Sequence, residues 1–132
     1  NQNLDLEITD LKSNIKLNEI ILIKKVGVLA NLYKYGKLAY VGGGFNRGVH
    51  SVIEPAIHKC SIACGPQIEL LDEAIEMNEQ GLLKIIKNKN DLSEFIATLN
   101  NNINLKSFNK QMDAFIYERA NASTKIINHI LN

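Results

Sequence analysis

Three consecutive glycines, Gly42, Gly43 and Gly44, follow the apolar run KLAYV, and Arg47, His50 and Glu54 come within the next ten residues. Glycine has no Cβ and accepts positive φ, so a ligand can approach its amide closely. Amides exposed this way at a helix start hold a phosphate or a carboxylate, and the helix dipole adds about half a positive charge there. Arg47 supplies a full charge beside them. Glu54 suits a different group: one turn into a helix, a carboxylate accepts hydrogen bonds from a pair of ribose hydroxyls. His50 either caps the helix, donates to the phosphate, or is structural. The spacing is not G-x-G-x-x-G, and no Lys-Ser/Thr follows as in a P-loop. By spacing alone the block is an anion site, with a tight, empty turn as the equal alternative. Glu54 has its own plain alternative, an acid that complements the dipole for about 0.3–1 kcal/mol.

The elements that would position these residues follow from periodicity. EIILIK, Glu19 to Lys24, reads as a buried strand, and the VGVLANLYKY stretch puts Val28, Leu29, Leu32 and Tyr33 at helical spacing. KLAYV is a second strand, broken by the glycines. A helix is expected over His50–Lys59, with Pro55 in its first turn, where a missing N–H costs nothing. CSIAC is a short strand ending at Gly65-Pro66, and IELLDEAIEMNEQG is an amphipathic helix closed by Gly81. LLKIIK is another strand. A further helix opens with Asn90 or Asp91 as its cap and shows Leu92, Phe95, Ile96 and Leu99 on one side. From Ser107 onward two helices are expected, meeting near Asn121–Thr124. Strands alternating with helices predict an α/β fold, a Rossmann-like parallel sheet flanked by helices. Residues 1–18 are an uncertain leading segment, and residues 19–132 form one unit.

The bulk composition narrows the function. The chain has 132 residues and a formal charge of +1, with 15 Lys and Arg against 14 Asp and Glu. That balance excludes a general nucleic-acid binder, which shows a clear basic excess. Two cysteines make no disulfide framework, and no apolar run approaches the ~20 residues of a membrane span. A cytoplasmic setting is the expectation. The chain begins NQNLDLEITD without methionine, and an excised or truncated piece is expected. His58, Cys60 and Cys64, with His50, suggest a metal site. However, Cys60 and Cys64 lie about 13 Å apart on a regular strand, so neither metal nor cofactor is expected. Asn121-Ala122-Ser123 spells a glycosylation sequon but is read as a helix boundary.

The block LYKYGKLAYVGGGFNRGVHSVIEPA, with the CGP at residues 64–66 and the DEA at 72–74, resembles the C-terminal domain of 3-deoxy-D-manno-octulosonic acid (Kdo) transferases. These are GT-B glycosyltransferases of lipopolysaccharide assembly. Tyr33 and Tyr35 match the family's tyrosine-rich helix, Gly42 to Phe45 its glycine loop, and Gly48 and His50 its turn. Glu54, Pro55 and Ala56 match the helix entry, Gly65, Pro66, Glu73 and Ala74 later elements, and NASTKII is similar to the closing segment. The likeness runs from about Glu19 to the end.

The resemblance implies the C-terminal, donor-binding half of a GT-B fold that takes CMP-Kdo. The implied donor contacts are Gly42, Gly43, Gly44, Phe45, Arg47, Gly48, His50, Ser51 and Glu54, with Glu54 the ribose partner. It implies transfer of Kdo to lipid A precursor with inversion and without metal. It also implies a catalytic carboxylate in a separate N-terminal domain, so that no catalytic residue is expected in this chain and the chain alone is expected to be inactive. Membrane contact is expected only through the full-length protein, on the cytoplasmic face of the inner membrane. Four places depart from the family pattern. Ser51 replaces an asparagine, Lys24-Lys25 stand where an aspartate is usual, Lys59-Cys60-Ser61 replace Gly-Leu-Pro, and Gln67-Ile68-Glu69-Leu70 replace a basic segment. Two other readings stay open: a divergent non-catalytic interaction domain, and a GT-B or epimerase domain for another nucleotide sugar.

Overall fold

The computed structural model describes residues 23, 24, 26–98 and 105–130. Its elements in chain order are α1 (Leu29–Tyr33), β1 (Leu38–Val41), α2 (Ile53–Ile57), β2 (Ser61–Cys64), α3 (Asp72–Glu79), β3 (Leu83–Ile85), α4 (Lys89–Ala97) and α5 (Leu105–Ile130). The three strands form one sheet in the order β1-β2-β3, and both pairings are parallel. This is the Rossmann-like α/β arrangement that the alternation predicted. The leading segment and the part of the expected Glu19–Lys24 strand up to residue 22 lie outside the described residues.

The strand sequences explain which faces are covered. β2 is central, and Ile62, Ala63 and Cys64 are all buried, as befits a strand packed on both faces. β1 alternates instead, with Ala39 and Val41 buried and Tyr40 47% exposed. On the first face Ala39, Val41, Ile62, Cys64 and Leu83 pack with Val52 and Ala56 around α2, Ala74 and Met77 of α3, and Met112 and Phe115 of α5. The second face carries a smaller cluster, Ala63, Ile86 and Phe95, with Leu38 against it. The Arg119 guanidinium joins α5 to α3, pairing with Glu73 and Glu76 and lying over the Phe115 ring.

Helix ends show where local chemistry decides the boundaries. α4 begins one residue after Asn88, whose side chain accepts from the amides of Asn90 and Asp91, while Asp91 accepts from Asn88 in return. The cap is therefore Asn88, not Asn90 or Asp91. Asp91 is the reciprocal partner three residues on. α3 is shorter than expected, since Ile68 to Leu71 precede it, and it ends as predicted at Gly81. There the Leu82 amide donates to Met77 O and the Gly81 amide to Asn78 O, with Gly81 at φ +72°. α2 closes by the same pair of bonds, Cys60 to Pro55 and Lys59 to Ala56, with Lys59 in the left-handed conformation at φ 59°. The Lys59 ammonium is held 2.9 Å from Asp113.

α5 overturns one expectation. It runs unbroken through Asn121–Thr124, so two helices do not meet there. Asn121 stays within the helix because its side-chain amide donates to the Tyr117 carbonyl, one turn back, rather than capping an end. No helix among the described residues is long and apolar enough to cross a membrane.

Gly81 gives a clean test of this reading of helix ends. A Cβ there would meet nothing within 4 Å, so the cost of Gly81→Ala is the left-handed backbone alone. Chemical denaturation should show a loss of about 1–2 kcal/mol, with no change in the dependence on denaturant.

Candidate functional site

Parallel register brings the functional loops together. Val41 is paired with Cys64, and Cys64 with Ile85, so all three strands end side by side. Ligands of open α/β sheets sit beyond such carboxyl ends. Loop 42–51 leaves β1 at that edge, and loop 65–71 leaves β2 beside it.

The glycine loop is built from its carbonyls. Gly43 O accepts from the amides of Asn46 and Arg47, Gly42 O accepts from His50, and Gly44 O accepts from Gln67 of the neighbouring loop at 2.8 Å. The three glycine amides do the opposite. None of them donates to an acceptor among the described residues. The Gly42 and Gly43 amides thus stand exposed at the sheet edge, while Gly44 is buried against Gly65.

Two of the glycines have an internal reason to be glycine. At Gly43, with φ +98°, a Cβ would lie 2.2 Å from Gly48 O. At Gly44 it would lie 2.7 to 2.8 Å from the backbone of Gly65, and a Cβ on Gly65 would meet Gly44 at 2.6 Å. The two loops touch backbone to backbone. Gly42 is different: its φ is ordinary and a Cβ would meet nothing within 4 Å. Packing therefore explains Gly43 and Gly44, but not Gly42.

The charged candidates lie around this loop. Arg47 is exposed and makes no ion pair among the described residues. The His50 ring lies close over Gly43, with Cδ2 3.4 Å from the position a Cβ would take. His50 does not cap α2, which begins at Ile53 with Val52 at its N-cap position, and the His50 amide donates instead to Gly42 O. Ser51 is exposed just before the helix. Glu54 is exposed in the first turn of α2, with Pro55 behind it, as expected. α2 has only five residues, so its contribution to an anion is that of its first-turn amides.

Glu54 has an aromatic neighbour. Burial pushes the half-buried Tyr33 phenol above its usual range, and the Glu54 carboxylate and Cys60 thiol push it the same way. The cysteines themselves face inward. Cys60 Sγ donates to Tyr33 O and Gly36 O, and burial pushes its thiol up. Cys64 is fully buried under the sheet edge, and burial pushes its thiol up to about 11. Neutral thiols of this kind are poor nucleophiles and poor ligands. No group of three or more His, Cys, Asp or Glu side chains gathers among the described residues.

Two apolar side chains lie on the seam between the loops. Phe45 turns across the seam, its Cδ2 2.9 Å from the position of a Cβ on Gly65, yet it remains 50% exposed. Leu70, from the second loop, is 89% exposed and reaches back to Gly48. Phe45 was expected as a donor contact only through the resemblance, and Leu70 was expected within the helix over IELLDEAIEMNEQG, which instead begins at Asp72.

Comparison with known proteins then places the chain. A Kdo transferase of Aquifex aeolicus is 33% identical over 76 residues, 56% of this chain and 22% of that protein. A Kdo transferase of Rickettsia prowazekii is 25% identical over 118 residues, 86% of this chain and 25% of that protein. The chain is similar to Kdo transferases. A bifunctional glycosyltransferase/methyltransferase of Fusobacterium nucleatum is also 28% identical over 126 residues, 92% of this chain and 19% of that protein. The fold is that of the crystal structure of the C-terminal CMP-Kdo binding domain of WaaA from Acinetobacter baumannii. The TM-score is 0.53 at 20% identity, over 70% of this chain and 50% of that one. No family model matches. The chain spans about a fifth to a quarter of the curated relatives' length. Its fold is thus the Rossmann-like one of that C-terminal domain, of which it covers half.

Two measurements probe the site's construction. Gly44→Ala forces the Gly65 backbone away and should destabilise the fold by about 1–3 kcal/mol, seen as a lower denaturation midpoint. Cys64 predicts the alkaline limit. The folded state keeps its proton up to about 11, while the unfolded thiol loses it near 9. Stability contributed by the neutral thiol is complete below pH 9 and falls as pH rises through 11. Cys64→Ala should flatten that part of the stability–pH curve.

Proposed function

We propose that this chain is the donor-binding part of a glycosyltransferase of the Kdo transferase kind, holding CMP-Kdo at the carboxyl edge of the sheet. The observation that carries the reading is the pair of exposed amides at Gly42 and Gly43, unpartnered among the described residues, with open space at Gly42. Arg47 adds the only full positive charge within the glycine loop itself. The named relatives supply the chemistry: two are Kdo transferases, and the solved neighbour is a CMP-Kdo binding domain.

In this reading the CMP phosphate lies against the glycine amides and Arg47, with Gly48, His50 and Ser51 beside it and Phe45 at the turn. Glu54 accepts from the ribose hydroxyls. When the bond from the sugar's anomeric carbon to the phosphate oxygen breaks, the electron pair and charge settle on the departing phosphate. Donors already fixed around it stabilise that charge without reorganising. The acceptor hydroxyl, on a lipid A precursor, attacks the anomeric carbon and gives its proton to a carboxylate from the remainder of a longer protein. The working place would be the cytoplasmic face of the inner membrane.

A second reading is favoured by the Fusobacterium relative, whose match extends over nearly the whole chain. There the same loop serves a glycosyltransferase using another nucleotide sugar. Thermal shift with a panel of nucleotides separates the two.

The direct test is calorimetric titration of the intact protein with CMP. Gly42→Ala should fold as the parent does, since its Cβ meets nothing, yet should lose CMP affinity at least tenfold because the methyl occupies the ligand's approach. Glu54→Ala should weaken CMP more than it weakens inorganic phosphate. Absence of any heat from the folded parent protein would overturn the nucleotide assignment.

A further inference from the structure

The seam between the two loops carries exposed apolar side chains that the core does not use. Gln67 donates to Gly44 O, which locks loop 65–71 against the glycine loop. Phe45 then lies on Gly65, and Leu70 Cδ1 comes 3.9 Å from the position of a Cβ on Gly48. Each side chain rests on a glycine of the opposite loop. The turn that presents Leu70 is closed by the Leu71 amide on Ile68 O, and Ile68 and Leu71 both pack on the core while Leu70 points out. A leucine 89% exposed in that position contributes almost nothing to folding.

We infer that Leu70, together with Phe45, forms the apolar wall on which the planar base of the bound nucleotide lies, and that Leu70 determines selection for a base-bearing ligand. This rests on the glycine loop being a nucleotide site. The chemistry of the surroundings orients the ligand. Glu69 and Asp72, both exposed, flank Leu70 in sequence and repel a phosphate, whereas the exposed glycine amides and Arg47 attract one. A phosphate or a polyhydroxylated sugar acid gains nothing from an isobutyl group or a phenyl ring. A flat base does, because covering these two side chains removes apolar surface from water on both partners. Of the parts of a nucleotide sugar, only the base has that surface.

The experiment titrates the intact protein with CMP and with ribose 5-phosphate, which keeps the phosphate and sugar but lacks the base. Leu70→Ala should leave thermal stability unchanged and weaken CMP about tenfold, while ribose 5-phosphate binds as before. Leu70→Met, which keeps the apolar length, should restore CMP affinity. Equal CMP affinity for the parent and Leu70→Ala would overturn the inference, as would equal weakening of both ligands. If ribose 5-phosphate binds too weakly to read, the contrast between Leu70→Ala and Leu70→Met on CMP decides alone. A folded parent that binds ribose 5-phosphate but gains nothing from the base would overturn the wall and spare the glycine loop; one that takes neither ligand would sink both.

Discussion

The backbones of Gly44 and Gly65 meet so closely that a methyl group on either would fall within 3 Å of the other's main chain. Much of the site follows from that contact. It exists because Val41 and Cys64 end their strands in register, which brings the first residues of two loops to the same level. The bond from Gln67 to Gly44 O then fixes their separation. With the carbonyls of Gly42 and Gly43 engaged inside the protein, the peptide planes that carry the Gly43 and Gly44 amides are set, and those amides have no acceptor among the described residues. A loop that satisfied its amides internally would be a turn and nothing more.

Below the site, the core holds the sheet edge rigid. Cys64, fully buried at the end of the central strand, packs with Val52 and Ala56 around α2 and with Met77 of α3. α2 is too short to be stable by its own hydrogen bonds. It persists because Pro55 and Ala56 are buried, because its end is closed by two backbone bonds, and because Lys59 accepts a left-handed backbone there. Glu54 is therefore placed by packing behind it. The same packing sets Tyr33 beside Glu54, where the carboxylate's charge and partial burial together disfavour the phenolate.

One of the four departures from the family pattern lies in the second loop. Where the resemblance implies a basic segment, this chain has Gln67-Ile68-Glu69-Leu70, and the structure divides these residues by role. Gln67 contributes its backbone amide to the glycine loop, Ile68 packs on the core, and Glu69 and Leu70 remain exposed. Arg47 is thereby the one Lys or Arg in the two loops. The edge thus carries amide donors, one cation, and exposed apolar side chains with Glu69 and Asp72 beside Leu70 in sequence.

Much of this was legible in the letters. The alternation of apolar runs with amphipathic stretches determined a parallel α/β sheet, because strand and helix periods differ and each apolar face must be covered. Gly42–Gly44 before a Pro-containing helix start determined a place where amides could be exposed. Gly81 determined the end of α3, since few other residues take its backbone without strain. Tertiary structure decided the rest. Asn88 rather than Asn90 or Asp91 caps α4, because capping depends on which side chain can reach back to the amides. Asn121 continues a helix that its composition suggested would break, because its side chain bonds one turn back and the helix is anchored earlier by Met112 and Phe115. Which glycine is forced by packing and which is free, Gly44 or Gly42, depends on Gly65, a residue 21 positions further on from Gly44. One-dimensional spacing carries no information about such a contact; only the strand register creates it.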